Sequence, residues 1–351
     1  MSEGDQHVHR FLWRDLQTAR EPDHYVLTAV PFGDRPSGTI AMTALHTIAK
    51  MHDCEHPDAA NAIINNTYVD DLIHSCSNDR EALSLAIEIQ DILAQASFKI
   101  KHWVMSSQVK DIPSQIQVSR SKQKVLGVLW NPEFDEFSFE VTLNFSLKSD
   151  KHETKPKLTI ETLTSAIPQF LTKRLLLRQV AAIFDPLGLI TPFMVQGKLL
   201  MRSFLDQSQE CTADWDVPMP AERIGVWLEF FKDMFEIEHC RFPRCIKPSD
   251  EFGNPTLIVF SDASSQAYGA CAYVRWQLKS GEGKACLVAS KNRIAPTRQL
   301  TIPRLELCAA VMGCRLGVTI QKQMSYEFSE ILYVVDSIIV RSQIQKESYT
   351  M

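Results

Sequence analysis

Apolar residues recur at helical spacing over residues 38–51 and, more strongly, over 79–96, where Leu83, Ala86, Ile87, Ile89 and Leu93 share one face behind Asn78 or Asp79 as N-cap. Between them, residues 62–75 read as two short apolar arms around a polar centre, the pattern of a hairpin. Two short strands follow at 98–103 and 125–130, the second running into the Asn131-Pro132 turn. Helix, hairpin, helix, strand, strand predicts an α+β layer for residues 1–150.

Beyond residue 150 the periodicity turns helical, at 171–183, 194–205 and 222–234, with Asp185-Pro186-Leu187-Gly188 and Thr191-Pro192 separating the first two. A link rich in proline and charge, 242–255, closes this second segment, 151–250. The remainder, 251–351, reads as strands at 257–260, 269–277 and 285–290, a long helix at 303–321 and a strand at 331–335. The chain has no internal repeat.

Composition narrows the class. With 351 residues, 45% apolar and 23% charged, disorder as the dominant state is excluded. No run of about 18 apolar residues offers a membrane span. Nine cysteines, an odd number without CxxC pairs, and a polar start point to an intracellular setting, cytoplasmic or nuclear. The net charge of -5 hides a polarised chain: residues 98–124 and 155–202 each carry a local +5, whereas 206–251 carries -6. The basic stretches, with Lys99, Lys101, Lys122, Lys124, Lys173, Arg174 and Arg178, fit a groove for a polyanion or, more blandly, a solvated face.

Two sets of carboxylates carry candidate chemistry. Tyr68-Val69-Asp70-Asp71 lies between Ile63-Ile64 and Leu72-Ile73. Adjacent carboxylates at a hairpin bend repel each other, and a divalent cation removes that cost; two Mg²⁺ ions so held activate a 3′-hydroxyl and stabilise the leaving oxygen of an in-line phosphoryl transfer. A bare Asp-Asp pair is more often a solvated turn; the tyrosine and the apolar arms set this one apart. The second set is Asp262 and Asp336, each at a strand end, with Glu306 early on the long helix. Alone, an Asp-Ser after a strand is usually a turn or cap. Together they can converge over one sheet edge, because a helix burying Leu305, Leu307, Ala310 and Val311 would turn Glu306 toward the aspartates.

FLWRD at 11–15, PFG-x-x-x-SG at 31–38, YVDD at 68–71, FKIKHW at 98–103, LGVLW at 126–130 and RQVAAIFDPLGLITP at 178–192, in that order, resemble the reverse transcriptase family, and more closely the Bel/Pao-type long-terminal-repeat retrotransposon pol polyprotein. FSDAS, YGACAYVRW, RLELCAA and VVDS further on resemble ribonuclease H. The resemblance implies a reverse transcriptase palm, a helical thumb- or connection-like segment and a ribonuclease H-like mixed sheet, both end domains truncated. It makes Asp70 and Asp71 palm metal ligands, sets Phe32, Ser37 and Tyr68 beside nucleotide and template, and makes residues 126–130 the primer grip. It makes Asp262, Glu306 and Asp336 ligands for hydrolysis of the RNA strand of a hybrid. Mg²⁺ or Mn²⁺ is the implied cofactor; RNA template, DNA primer, RNA–DNA hybrid, deoxynucleoside triphosphate and the rest of a pol polyprotein are the implied partners, with no membrane.

The chain departs from the family at both ends. The palm needs another aspartate on a strand before the 11–15 segment, where Asp5 is the sole candidate and lacks strand patterning; after Asp336 there is neither a histidine-bearing loop nor a closing strand. The expectation is absent or weak polymerase chemistry, slow or no hybrid cleavage, and exposed apolar surface around Phe11, Trp13 and Ile63. The alternative reading is a non-catalytic nucleic-acid-binding or scaffold remnant. Among weaker signals, His52-x-Cys54-x-His56 lacks a fourth metal ligand, as do His239-Cys240 and Cys245. Trp13, Trp103, Trp130, Trp227 and Trp276 fill a core or stack on bases.

Overall fold

The computed structural model describes residues 3–31, 33–106, 112–114, 116–145, 157–168, 170–206 and 214–345. It divides into two compact units, Met1–Ser121 and Lys122–Met351.

The first unit opens with α1 (Glu3–Gln6) and an antiparallel pair, β1 (Arg10–Trp13) and β2 (Asp23–Val26), in which Phe11 stacks on Tyr25 with ring centroids 5.5 Å apart. Phe11 and Trp13 are exposed, as expected. The core of the unit comes from α2 (Ser37–Met51), α3 (Pro57–Asn66) and α4 (Asp79–Gln95). Ala49, Ala59 and Ala60 let these helices approach closely, and Ile63, Ile89, Ile92 and Leu93 fill what remains. Asn78 caps α4 by accepting from the Glu81 N–H at 3.0 Å, while Glu81 returns a carboxylate to the Ser77 N–H at 3.1 Å.

Two expectations change here. The hairpin expected over 62–75 shrinks to β3 (Thr67–Tyr68) and β4 (Asp71–Leu72), because Pro57 and Asp58 start a helix that continues to Asn66. Ile63 lies on that helix and is fully buried, not exposed. The 98–103 strand reduces to β5 (Trp103–Val104), paired in parallel with β6 (Val118–Ser119).

The second unit begins with β7 (Gln123–Val125), β8 (Val128–Asn131) and β9 (Glu136–Ser138). Residues 125–130, expected as one strand, are instead broken by a two-residue turn: Leu126 and Gly127 both have positive φ, 48° and 86°, the requirement of a hairpin turn whose twist matches its strands. Helices α5 (Ile160–Ala166), α6 (Lys173–Val180), α7 (Thr191–Asp206) and α8 (Ile224–Glu236) then surround an aromatic core in which Trp227 lies edge-on to Phe230 at 5.7 Å. The strand β10 (Phe242–Pro243) joins the first three in the order β10-β9-β8-β7.

The rest of this unit is a second four-stranded sheet. Its strands are β11 (Glu251–Ala263), β12 (Ala267–Leu278), β13 (Gly283–Ile294) and, after the long helix α9 (Ile302–Gln323), β14 (Glu330–Val335); α10 (Ile338–Gln345) follows. The order is β13-β12-β11-β14, antiparallel except for β11 and β14. Leu257, Val259 and Ser261 of β11 are buried on one face, which α9 covers with Leu316 and Ile320. Mixed helix and strand throughout agree with the α+β expectation.

Candidate metal centre

The position of the three acids follows from register. Ser261 of β11 stands opposite Val335 of the parallel β14, so Asp262 and Asp336, one residue further on, come off the same edge of the sheet side by side. Glu306 reaches them from α9. The buried face of α9 runs Leu305, Glu306, Ala309, Ala310, Gly313, Leu316, Gly317 and Ile320. A Cβ on Gly313 would lie 3.4 Å from the side chains of both Ser261 and Val259, so the helix rests directly on the end of β11, and Glu306, two turns earlier on the same face, overhangs the strand ends. The expected partners of this burial were half right: Leu305 and Ala310 are buried, but Leu307 and Val311 are exposed, because they form a separate i, i+4 stripe.

One carboxylate oxygen from each of Asp262, Glu306 and Asp336 lies within 4.8 Å of the others. Among the described residues this is the one group of three or more His, Cys, Asp or Glu side chains that converges so. Glu306 is 7% exposed whereas both aspartates face solvent. Burial pushes the Glu306 carboxyl up, and the charges of Asp336 and Asp262 push it further, offset in part by the Ala263 backbone. Three hard oxygen donors, one of them buried against two like charges, fit a small divalent cation.

The Tyr68–Asp71 hairpin is laid out differently. Tyr68 pairs with Asp71, which leaves Val69 and Asp70 as its two-residue tip, with Val69 at φ 57°. A β-branched residue in the left-handed region costs of order 1–3 kcal/mol. Asp70 and Asp71 are exposed, and no third ligand group joins them among the described residues.

The basic residues separate by environment. Lys99 and Lys101 in the first unit, and Lys122 and Lys124 in the second, are exposed. The α6 set has partners within the protein: Lys173 is only 5% exposed, Arg174 forms a fork with Asp216 at 2.8 and 3.0 Å, and Arg178 donates to the Asn144 carbonyl. Arg174 and Arg178 tie α6 to neighbouring segments, contacts that a local charge count does not reveal. Ser37 donates its hydroxyl to the Pro31 carbonyl at 2.8 Å and closes the turn before α2; Phe32 lies outside the described residues. His52 and His56 turn to Gln95 and Glu88, at 3.0 and 3.2 Å, and do not converge with Cys54. Trp227 and Trp276 are core residues.

Residues 172–337, from the N-cap of α6 to the residue after Asp336, match the family model of the Pao retrotransposon-like RNaseH-like domain. Over this stretch, just under half of the chain, the sequence is similar to that family. The carboxylate cluster lies inside the matched residues. Of solved structures, the foamy viral protease-reverse transcriptase dRH in complex with double-stranded DNA is similar at 13% identity and a TM-score of 0.51, over 99% of this chain and 49% of that one. The foamy viral protease-reverse transcriptase in complex with dsDNA follows at 15% identity and a TM-score of 0.47, over 100% and 60%. At such identity the first likeness is one of fold, that of a reverse transcriptase, and this chain spans about half its length. No curated protein matches the chain.

Proposed function

We propose that the second unit is a metal-dependent nuclease module of ribonuclease H type, acting on the RNA strand of an RNA–DNA hybrid, and that the 68–71 hairpin derives from an RNA-directed DNA polymerase. The single observation that carries the first part is the convergence of Asp262, Glu306 and Asp336 within 4.8 Å at one sheet edge. Divalent cations, Mg²⁺ or Mn²⁺, when bound there, supply activation of water and stabilisation of the leaving oxygen of a phosphodiester. Asp262 and Asp336 are held by the sheet register, so their spacing is fixed before any ligand arrives. Glu306 is held by the close seat of α9 at Gly313 and completes the site from above. Two exposed aspartates screen each other through water, so cation affinity is modest and turnover slow.

A second reading applies to the first unit, a binding or scaffold role without polymerase chemistry. It is favoured by Asp70 and Asp71 standing without a third carboxylate among the described residues. The deciding experiment incubates the full chain with a labelled RNA–DNA hybrid and Mn²⁺. Slow cleavage of the RNA strand that disappears in Asp262→Asn and in EDTA is expected; cleavage that persists in Asp262→Asn, or no cleavage at any Mn²⁺ concentration, overturns the nuclease reading.

A further inference from the structure

Beside the carboxylates, within the second unit, runs an open groove of about 610 Å³ between α9 and the outer strand β13. One wall is the exposed α9 stripe of Leu307, Val311 and Arg315, at i, i+4 and i+8; the other carries Lys291 and Arg293 of β13 and Tyr268 of β12. These strand residues share the face that α9 covers. Lys291 pairs with Ala270, which lies 3.6 Å from where a Cβ of Gly313 would sit, and Arg293 pairs with Tyr268 two residues along. Lys291, Arg293 and Arg315 are exposed, and no carboxylate or hydrogen-bonding side chain engages them among the described residues.

The groove's fourth cation, Lys198, donates to Asn292 at 2.7 Å. Its single acid, Asp185, accepts from the Leu189 and Ile190 N–H groups, both at 2.9 Å, so its charge is already engaged. Both walls begin at neighbours of the metal centre. Leu307 and Cys308 directly follow Glu306, and Tyr268 pairs with Ala263, the neighbour of Asp262.

We propose that this groove binds the sugar–phosphate backbone of one strand of a nucleic acid and leads it to the carboxylate cluster. The proposal rests on the nuclease reading for the choice of a polynucleotide. A polyanion is repelled by three acids and attracted by the three free cations that line the groove, so it settles with its phosphates on the cationic side and crosses the acids only where metal neutralises them. Leu307, Val311 and Tyr268 supply apolar surface for sugars and bases between the charges, as in sites that bind a strand without reading its sequence. A window count of charge along the chain misses the site, because its cations alternate on β13 and recur a helix away on α9.

The test measures binding in EDTA, where cleavage cannot occur, so its failure is separable from failure of the nuclease reading. A fluorescein-labelled RNA–DNA hybrid of about 18 base pairs is titrated with the full chain at salt between about 50 and 200 mM, and anisotropy is read. In the triple variant Lys291→Gln, Arg293→Gln, Arg315→Gln, the log–log salt slope is expected to fall by about 2–3, roughly one per lost phosphate contact, with affinity down about tenfold or more. Arg315→Gln alone is expected to lower it by about one, which covers a triple variant that folds poorly. Unchanged slope and affinity in a triple variant with an unchanged melt overturn the proposal, even if the hybrid is cleaved with Mn²⁺. Equal loss in the paired control Lys99→Gln, Lys101→Gln with no loss in the triple variant also overturns it.

Discussion

Ser261 and Val335 are cross-strand partners in the parallel pair of β11 and β14, and this one register fixes the spacing of the two aspartates that follow them. A slip of that register by one residue would send one carboxylate to the opposite face. Because the sheet sets the geometry, metal binding is linked to folding of the second unit. Mn²⁺ at about 100 times its dissociation constant is expected to add about 2.7 kcal/mol to the stability of that unit. Differential scanning fluorimetry should show the rise, its removal by EDTA, and its loss in Asp336→Asn.

Glu306 gives the pH dependence its sign. Its carboxyl is raised above the ordinary value by burial and by Asp336 and Asp262, so the folded state holds its proton to higher pH than the unfolded chain does. The metal-free fold is then most favoured at pH below the ordinary carboxylate value and loses stability as pH rises through the raised folded value. Glu306→Gln is expected to raise the metal-free melting temperature at pH 7, by ~2–4 °C for each ~1 kcal/mol relieved. The same variant should lose the Mn²⁺ response. A metal-free melt that drops at pH 7 in Glu306→Gln would contradict the account.

Gly188 and Ser290 test how the helical part of the second unit is tied to its C-terminal sheet. Gly188 has φ 76°, and a Cβ there would stand 2.0 Å from the Ser290 carbonyl oxygen, a backbone atom that cannot step aside. The Ser290 hydroxyl donates back to the Gly188 carbonyl, and its N–H donates to Leu187 at 2.8 Å. Gly188→Ala is expected to cost about 2–4 kcal/mol, combining left-handed strain with the clash. Urea unfolding read by tryptophan fluorescence measures it.

Much of this was legible in the sequence and some was not, for identifiable reasons. The β-branched run at 257–260 announces β11, and strand-end aspartates with one helical glutamate announce a shared edge; the structure brings all three together. The expected face of α9 merged two stripes, of which only that of Leu305 and Ala310 is buried. Leu307 and Val311 are apolar and periodic, yet the glycines at 313 and 317, invisible to a hydrophobicity count, decide which stripe approaches the sheet. The helix α3 was misread as a hairpin arm because two isoleucines with Thr67 and Tyr68 have strand propensity, while the local start signal at Pro57 and the alanines packed beneath it favour helix. The pairing of Arg174 with Asp216, 42 positions away, could not be read from local charge at α6.

Asp135 and Arg244 carry the next prediction. Arg244 donates to Asp135 at 2.9 Å and stands over the Trp130 ring, which itself donates to Asp135 at 3.0 Å. The pair joins the β8–β9 hairpin to β10, and both side chains are less than a third exposed. Asp135→Ala leaves the Arg244 guanidinium and the Trp130 N–H without this acceptor and is expected to cost about 1–3 kcal/mol. Asp135→Asn, which keeps an acceptor and tolerates the φ of 53°, should cost less, and thermal melts of the two variants rank them.

The hairpin at Tyr68 gives the last prediction. Its carboxylates are exposed and stand as a pair, whereas an in-line phosphoryl transfer needs a ligand set that holds both the activating and the leaving-group cation. Two solvated carboxylates with high-dielectric water between them hold one cation weakly, since their interaction with it is screened to about 1 kcal/mol at 4 Å. Primer extension by this chain with Mg²⁺ or Mn²⁺ is therefore expected to show no incorporation above background. Asp70→Asn should leave both the background and the melting temperature of the first unit unchanged, because Asp70 lies at the hairpin tip. Template-dependent incorporation that Asp70→Asn abolishes would show that the pair is completed by a ligand from elsewhere, and would move the polymerase reading of the first unit ahead of the binding one.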